Sequence, residues 1–415
     1  MPAARADPGP ELDRTRRKER LIDLHERARH RADAIARQLQ TPSPAGPLQS
    51  LSGGATGIAL LHIERATTGS AGWQEAHDWL SAATRDDLIA GTGACLYHGA
   101  PALAFALHPA PHPGYRPAQA ILDEAVAALT HERLAAASHR LARGERPALA
   151  EFDLISGLTG LGAHLWRHDP GGDLIKDVLA YLVRLTNPID GLPGWWTLSS
   201  AQRGAAAPPG GHGNNGMAHG IAGPLTLLAL TARADLTVPG QMEAIGRICA
   251  WLDDWEQEHG GAPWWPETIS LAELQQGQSA HSEPRRPSWC YGTPGLARAQ
   301  QLAALATGDI ARQATAEYAL TGCLNDPHQR RRIIDRGLCH GAAGVFMTVV
   351  AFAADAIAPR RLPILGVINL LLDGPAATST PPGFLTGHAG YGLALHTLAD
   401  DAPPTTTWDA CLLLR

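Results

Sequence analysis

Cysteine is scarce: six in 415 residues, spread without a dense pattern, which excludes the disulfide framework of a small secreted scaffold. Excess positive charge is missing too. The net charge is −6, so neither nucleic acid nor an anionic membrane is an expected partner. The most basic run, Arg14 to Arg31, is interleaved with Asp13, Glu19, Asp23 and Glu26, as a solvated helix face would be. No apolar region of about 7–15 residues follows Arg16-Arg17, so no signal peptide is expected. The longest apolar stretch, Ala342 to Ala358, is broken by Asp355 and falls short of a membrane span. No segment alternates as a half-buried strand would. What remains is a cytoplasmic protein with reduced thiols, in which Cys95, Cys249, Cys323 and Cys411 serve as small buried hydrophobes.

Apolar residues are plentiful at 45%, enough for a sizeable core, and there are 44 glycines. The glycines are patterned. Gly-x-x-Gly recurs at Gly54-Ala-Thr-Gly57, Gly157-Leu-Thr-Gly160, Gly220-Ile-Ala-Gly223, Gly292-Thr-Pro-Gly295, Gly341-Ala-Ala-Gly344 and Gly387-His-Ala-Gly390. Gly99-Ala-Pro-Ala102 is a degenerate seventh copy. Each copy leads into an apolar run, as in Ile58-Ala59-Leu60-Leu61, and internal repeats of this period indicate stacked supersecondary units. Longer amphipathic segments lie between the runs: Ile121 to Ala142, Leu174 to Leu185, Gln241 to His259. Their apolar residues return every three or four positions, as helices require. Each unit therefore reads as a polar-faced outer helix, a glycine-rich turn and an apolar inner helix. Both end repeats keep the apolar inner pattern instead of the polar caps of an open array. The expected fold is all-α: an α/α toroid of seven hairpins, as a single domain over 1–415. The stretch 108–150 is the place for a small inserted element, too short and too helical for a separate domain. Asn187 to Trp196 and Gly261 to Pro266 are turn-rich and aromatic, suited to a rim over a pocket. Gly204 to Gly216 reads as a mobile loop.

Two copies carry chemistry. Trp289-Cys290-Tyr291-Gly292 and Leu338-Cys339-His340-Gly341 place a thiol at the same position of two units, 49 residues apart. Equivalent places in a repeat bring both thiols to one site. With the imidazole of His340 they make three ligands, the number a catalytic zinc uses while one position stays open. The residues before the seven first glycines are Gly53, His98, Ser156, His219, Tyr291, His340 and Thr386. If the inner helices run parallel, these line one end of the ring, where helix N-termini favour anions and thiolates.

With these motifs the sequence resembles the lanthipeptide cyclases of the LanC type. The resemblance covers essentially the whole chain. It rests on Asp153-Leu-Ile-Ser-Gly157, Asn215-Gly-Met-Ala-His219-Gly220, Arg286-Pro-Ser-Trp-Cys290-Tyr291-Gly292, Cys339-His340-Gly341 and Leu385-Thr-Gly387-His-Ala-Gly390. It implies an α/α toroid and one zinc ion held by Cys290, Cys339 and His340. The implied reaction adds a cysteine thiol of a dehydrated precursor peptide to dehydroalanine or dehydrobutyrine, closing a thioether ring. A dehydratase and a transporter are the implied partners.

On that reading His219 protonates the enolate, Asp153 orients His219 or shares in proton transfer, and Tyr291 and Arg286 hydrogen-bond the enolate oxygen. Arg285 competes with Arg286 for its place. Asp153 also reads as a plain helix cap, and His219 as a capping or core histidine. His98, His212 and His388 read as structural or surface residues. Two rival functions fit parts of the pattern: a LanC-like protein adding glutathione to dehydrated residues, and a peptide-binding scaffold with a structural zinc.

Overall fold

A computed structural model describes residues 10–42, 47–200, 206–375 and 380–415. The chain opens on α1 (Pro10–Gln38), followed by α2 (Ala55–Thr67), α3 (Gln74–Ala83), α4 (Ala100–Leu107) and α5 (Arg116–Ala142). A short α6 (Leu149–Phe152) precedes α7 (Leu158–His168) and α8 (Asp173–Leu185). Strand β1 (His212–Asn214) leads into α9 (Ala222–Arg233) and α10 (Gln241–Asp254). Then come β2 (Gln257–His259), β3 (Ala262–Trp264), β4 (Thr268–Ser270) and the short α11 (Leu271–Gln276). The last part holds α12 (Thr293–Thr307), α13 (Ile310–Asn325), α14 (Pro327–Arg331), α15 (Ala342–Asp355), α16 (Ile364–Asp373) and α17 (His388–Asp400).

Helices α2, α4, α7, α9, α12, α15 and α17 each pack on the next, and α17 returns to α2, so they close a ring. Around them stand α3, α5, α8, α10, α13, α16 and α1, each against its inner partner. This is an α/α toroid. Inner helices touch neighbours on every side, so they are buried almost all round: every residue from Ala222 to Thr231 of α9 is buried. Outer helices bury one face, as in α8, where Ile175, Val178, Leu179 and Leu182 follow the helical period.

The tightest hairpins run from inner helix to outer helix. The sequence reading had the outer helix first. In consequence α1 has no partner beside it in the chain and seats on α17, with Arg29 donating to the carbonyl of Ala399 at 2.9 Å, while Arg27 binds Asp373 at the end of α16.

The second glycine of each Gly-x-x-Gly is required by a close backbone approach. A Cβ on Gly344 would lie 1.8 Å from the carbonyl oxygen of Leu338, and one on Gly295 1.9 Å from that of Trp289. In both, the carbonyl belongs to the residue six positions earlier. The loops before the inner helices are also hydrogen-bonded to one another: Leu51 to Tyr97, Leu154 to Ala218, Met217 to Cys290, Cys290 to Cys339, Cys339 to Leu385 and Leu385 to Ser52. This chain of backbone bonds ties the inner-helix N-termini together at one end of the ring.

Four strands of three residues each form two small antiparallel pairs, β1 with β4 and β2 with β3. They are too short to show a period in sequence. The helical reading of Gln241 to His259 stops early because Gly260 and Gly261, both at positive φ, turn the chain into the β2–β3 hairpin. The tryptophans expected on a rim are in the core: Trp195, Trp196, Trp264 and Trp265 are all buried.

The hollow of the ring is filled by residues near 411. Tyr97 donates to the carbonyl of Cys411, Trp289 to that of Leu412, and Arg298 to that of Leu414. These donors come from different sides of the ring, so the segment lies along its axis. No helix among the described residues is long and apolar enough to cross a membrane.

Candidate functional site

The bond from the peptide N–H of Cys290 to the carbonyl of Cys339, 3.2 Å, sets two cysteine-bearing loops side by side at the N-terminal rim. Local contacts fix each loop. Ser288 Oγ accepts from the peptide N–H groups of Tyr291 and Gly292 at the start of α12. In the next unit Asp335 Oδ1 accepts from the N–H of Gly337 at 2.9 Å. The outcome is that Cys290, Cys339 and His340 present ligand atoms all within 4.8 Å of one another.

The two thiols share a hydrogen bond. That contact, with His340 adding to it, holds Cys290 well below the usual thiol range against the effect of burial, and the same contact pushes Cys339 up. Two sulfurs and an imidazole nitrogen at this spacing are the donor set and number of a zinc site with an open position, so these residues fit that ion. Asp335 Oδ2 stands 3.5 Å from His340 Nε2, where a carboxylate fixes the ring's tautomer and orientation.

One loop away, His219 Nδ1 lies 2.6 Å from Asp153 Oδ2. Asp153 is buried, and its other oxygen accepts from the N–H groups of Ser156 at 2.6 Å and Gly157 at 2.9 Å. Cap and histidine partner are therefore not alternatives. Each takes one carboxylate oxygen.

Tyr291 stands between the two groups, its ring 6.4 Å from that of His219 and its residue next to Cys290. Asn214 donates to the Tyr291 hydroxyl at 3.2 Å, which leaves the phenol's own O–H to donate elsewhere. Burial pushes the Tyr291 hydroxyl up, so it stays protonated. Arg286 reaches Asp335 at 3.7 Å, and both Arg285 and Arg286 line the adjoining cavity of about 430 Å³.

The structure thus gathers Cys290, Cys339, His340, His219, Asp153, Tyr291 and Arg286 at one rim. Sequence reasoning missed Asp335, Glu267 and His212. Glu267 lines the cavity, with burial raising its carboxyl against the pull of Arg285. His212, expected in a mobile loop, sits buried in β1 opposite Ser270 and faces the same cavity. Its neighbour Asn215 is clamped: it donates to the carbonyl of Pro266 and accepts from the Trp251 indole, both at 2.8 Å. Glycine content masked this order, since the strand partner lies far along the chain.

Comparison with known proteins bears on the fold and the family. The family model described as lanthionine synthetase C-like protein matches residues 48–413. The nisin biosynthesis protein NisC of Lactococcus lactis subsp. lactis is 26% identical over 202 residues, a stretch that spans 47% of this chain and 47% of that relative. A solved nisin cyclase shares the fold with a TM-score of 0.76 at 20% identity, covering 93% of this chain and 97% of that one. With the family match running through every repeat, the chain belongs to the lanthionine synthetase C-like family.

Proposed function

We propose that this protein is a zinc-dependent lanthipeptide cyclase. It adds a cysteine thiol of a dehydrated precursor peptide to the β-carbon of dehydroalanine or dehydrobutyrine in the same peptide. One observation carries this reading: Cys290, Cys339 and His340 converge on the rim that also holds the His219–Asp153 pair. Cys290, Cys339 and His340 would hold one zinc ion, which when bound supplies a thiol kept as thiolate at neutral pH.

In the overall reaction an S–H bond breaks, sulfur bonds to the β-carbon, the α-carbon gains a proton, and no group leaves. His219 has Nδ1 engaged by Asp153, so Nε2 is the nitrogen that delivers this proton. Asp153 accepts from Nδ1–H, so Nε2 is free to take up the proton released by the thiol before delivering it, and the carboxylate stabilises the imidazolium in between. Tyr291 and Arg286 donate to the carbonyl oxygen as it takes up charge. The cavity beside Cys290, with Glu267, His281, Arg285 and Arg286 on its walls, receives the peptide. A dehydratase must act first, because the acceptor alkene is made by loss of water from serine or threonine. A transporter would export the product. Six free cysteines agree with a cytoplasmic setting, where thiols stay reduced.

The test mixes zinc-loaded protein with a dehydrated precursor peptide. Ring closure leaves the mass unchanged, so it is read by thiol alkylation: cysteines labelled before the reaction resist labelling after it. Protein stripped of zinc beforehand leaves the cysteines open to labelling. A glutathione-adding protein would instead add one glutathione mass per dehydro residue when that thiol is supplied. A binding scaffold would leave every cysteine open to alkylation, which sinks the cyclase reading.

A further inference from the structure

A second group of metal-ligating side chains lies at the far end of α7, one helix length, or roughly 15 Å, from the end that follows Asp153. His164 and His168 stand four residues apart on α7, so both rings project from one face of the helix. This is the spacing by which a helix offers two imidazoles to one ion. Asp123 of α5 completes the group, and the ligand atoms of Asp123, His164 and His168 all lie within 4.8 Å of one another. His108, at the C-terminal end of α4, adds a third ring.

The rings of His164 and His168 lie against each other, with that of His108 beside them. His164 is 1% exposed, and the Nδ1 atoms of His164 and His168 are both buried with no hydrogen-bond partner. Buried polar atoms without partners are rare, and a bound ion is one standard partner for them. The C-terminal ends of α4 and α7 carry partial negative charge, which favours a cation there. Arg167 opposes it, but its side chain is turned toward Thr407 and Asp409.

We propose that Asp123, His164 and His168, with His108 beside them, form a second metal site for a divalent ion of the zinc, cobalt and nickel class. Imidazole and carboxylate donors without a thiolate suit these borderline ions. The site is structural: it staples the outer helix α5 to the inner helices α4 and α7, away from the cysteine rim.

The test loads the full-length protein with Zn2+ and counts bound ions by elemental analysis. Wild type binds two. The Cys290→Ala/Cys339→Ala variant binds one, and adding Asp123→Asn with His168→Gln removes it. Asp123→Asn alone, at an exposed position, weakens zinc binding in the double-cysteine background at least ten-fold. Co2+ gives an independent reading, since the cysteine site produces a thiolate charge-transfer band and the histidine site does not. Anomalous scattering from zinc-loaded wild-type crystals shows density between His164 and His168. The proposal is overturned if such crystals show zinc at the cysteine rim alone, or if the double-cysteine variant binds none.

Discussion

Cys290 and Cys339 are joined through their backbones before their side chains meet: the peptide N–H of one donates to the carbonyl of the other at 3.2 Å. The same bond type links loop to loop around the ring, so the thiols converge because the repeat places them there. A metal is not needed to bring these loops together. Cys290→Ala, Cys339→Ala and His340→Ala should each lose one equivalent of zinc and keep the helical circular dichroism of wild type. Full zinc in the double-cysteine variant would remove this rim as a metal site.

The split roles of the two Asp153 oxygens separate catalysis from capping. Asp153→Asn keeps an acceptor for the Ser156 and Gly157 N–H groups but offers an amide to His219 Nδ1, which forces the wrong tautomer. Stability should stay close to wild type while cyclisation slows by about 10²–10⁴-fold, the usual worth of a general acid. Asp153→Ala loses the cap as well and should cost about 1 kcal/mol of stability in addition. Equal activity in Asn and wild-type enzymes would remove Asp153 from the chemistry.

His219→Asn should retain zinc and lose ring formation. Metal analysis and alkylation on the same sample separate the two effects. A variant that cyclises at the wild-type rate would leave Tyr291 or water as the proton donor.

Gly344→Ala would set a methyl group against the Leu338 carbonyl, where no flexible side chain can yield. The loop carrying Cys339 must then move. We expect a loss of more than about 2 kcal/mol, read as a lower melting temperature, together with weaker zinc binding.

Acid should attack the ring through Asp355. Its burial favours the neutral form, but Arg298 and Arg233 outweigh this and hold the carboxyl below its usual range. A depressed folded pKa contributes stability that is present above the unfolded value, about 3.9, and is lost as pH falls through the folded one. Arg298 is 1% exposed, so Asp355→Asn strands a buried guanidinium and should cost about 3 kcal/mol at neutral pH. The variant should also show a shallower loss of stability below about pH 4, measured by denaturant melts across pH.

The ring was legible because its cause is local. Each Gly-x-x-Gly is short, recurs, and precedes an apolar run, so counting copies counts inner helices. The cysteine pair was legible for the same reason. Asp335 was not, because its value lies in reaching His340 and Arg286, and an aspartate six residues before a glycine looks like any turn residue. Residues 411–414 look like an ordinary apolar stretch, yet their carbonyls serve Tyr97, Trp289 and Arg298, partners more than 100 positions away. The histidine pair of α7 was hidden in the same way: the i, i+4 spacing is visible in sequence, whereas Asp123 joins it through tertiary packing.

The seating of α1 on α17 also has a consequence in time. During synthesis α1 has no surface to rest on until α17 has left the ribosome, some 350 residues later. Until then α1 waits with its apolar stripe open to solvent, a client for chaperones and a site for proteases. Such long-range closure slows folding, and it also makes the finished ring cooperative, since no terminal unit is free to fray. Cutting the loop between α1 and α2 should therefore leave a nicked protein that holds together, because α1 belongs, in space, to the other end of the chain.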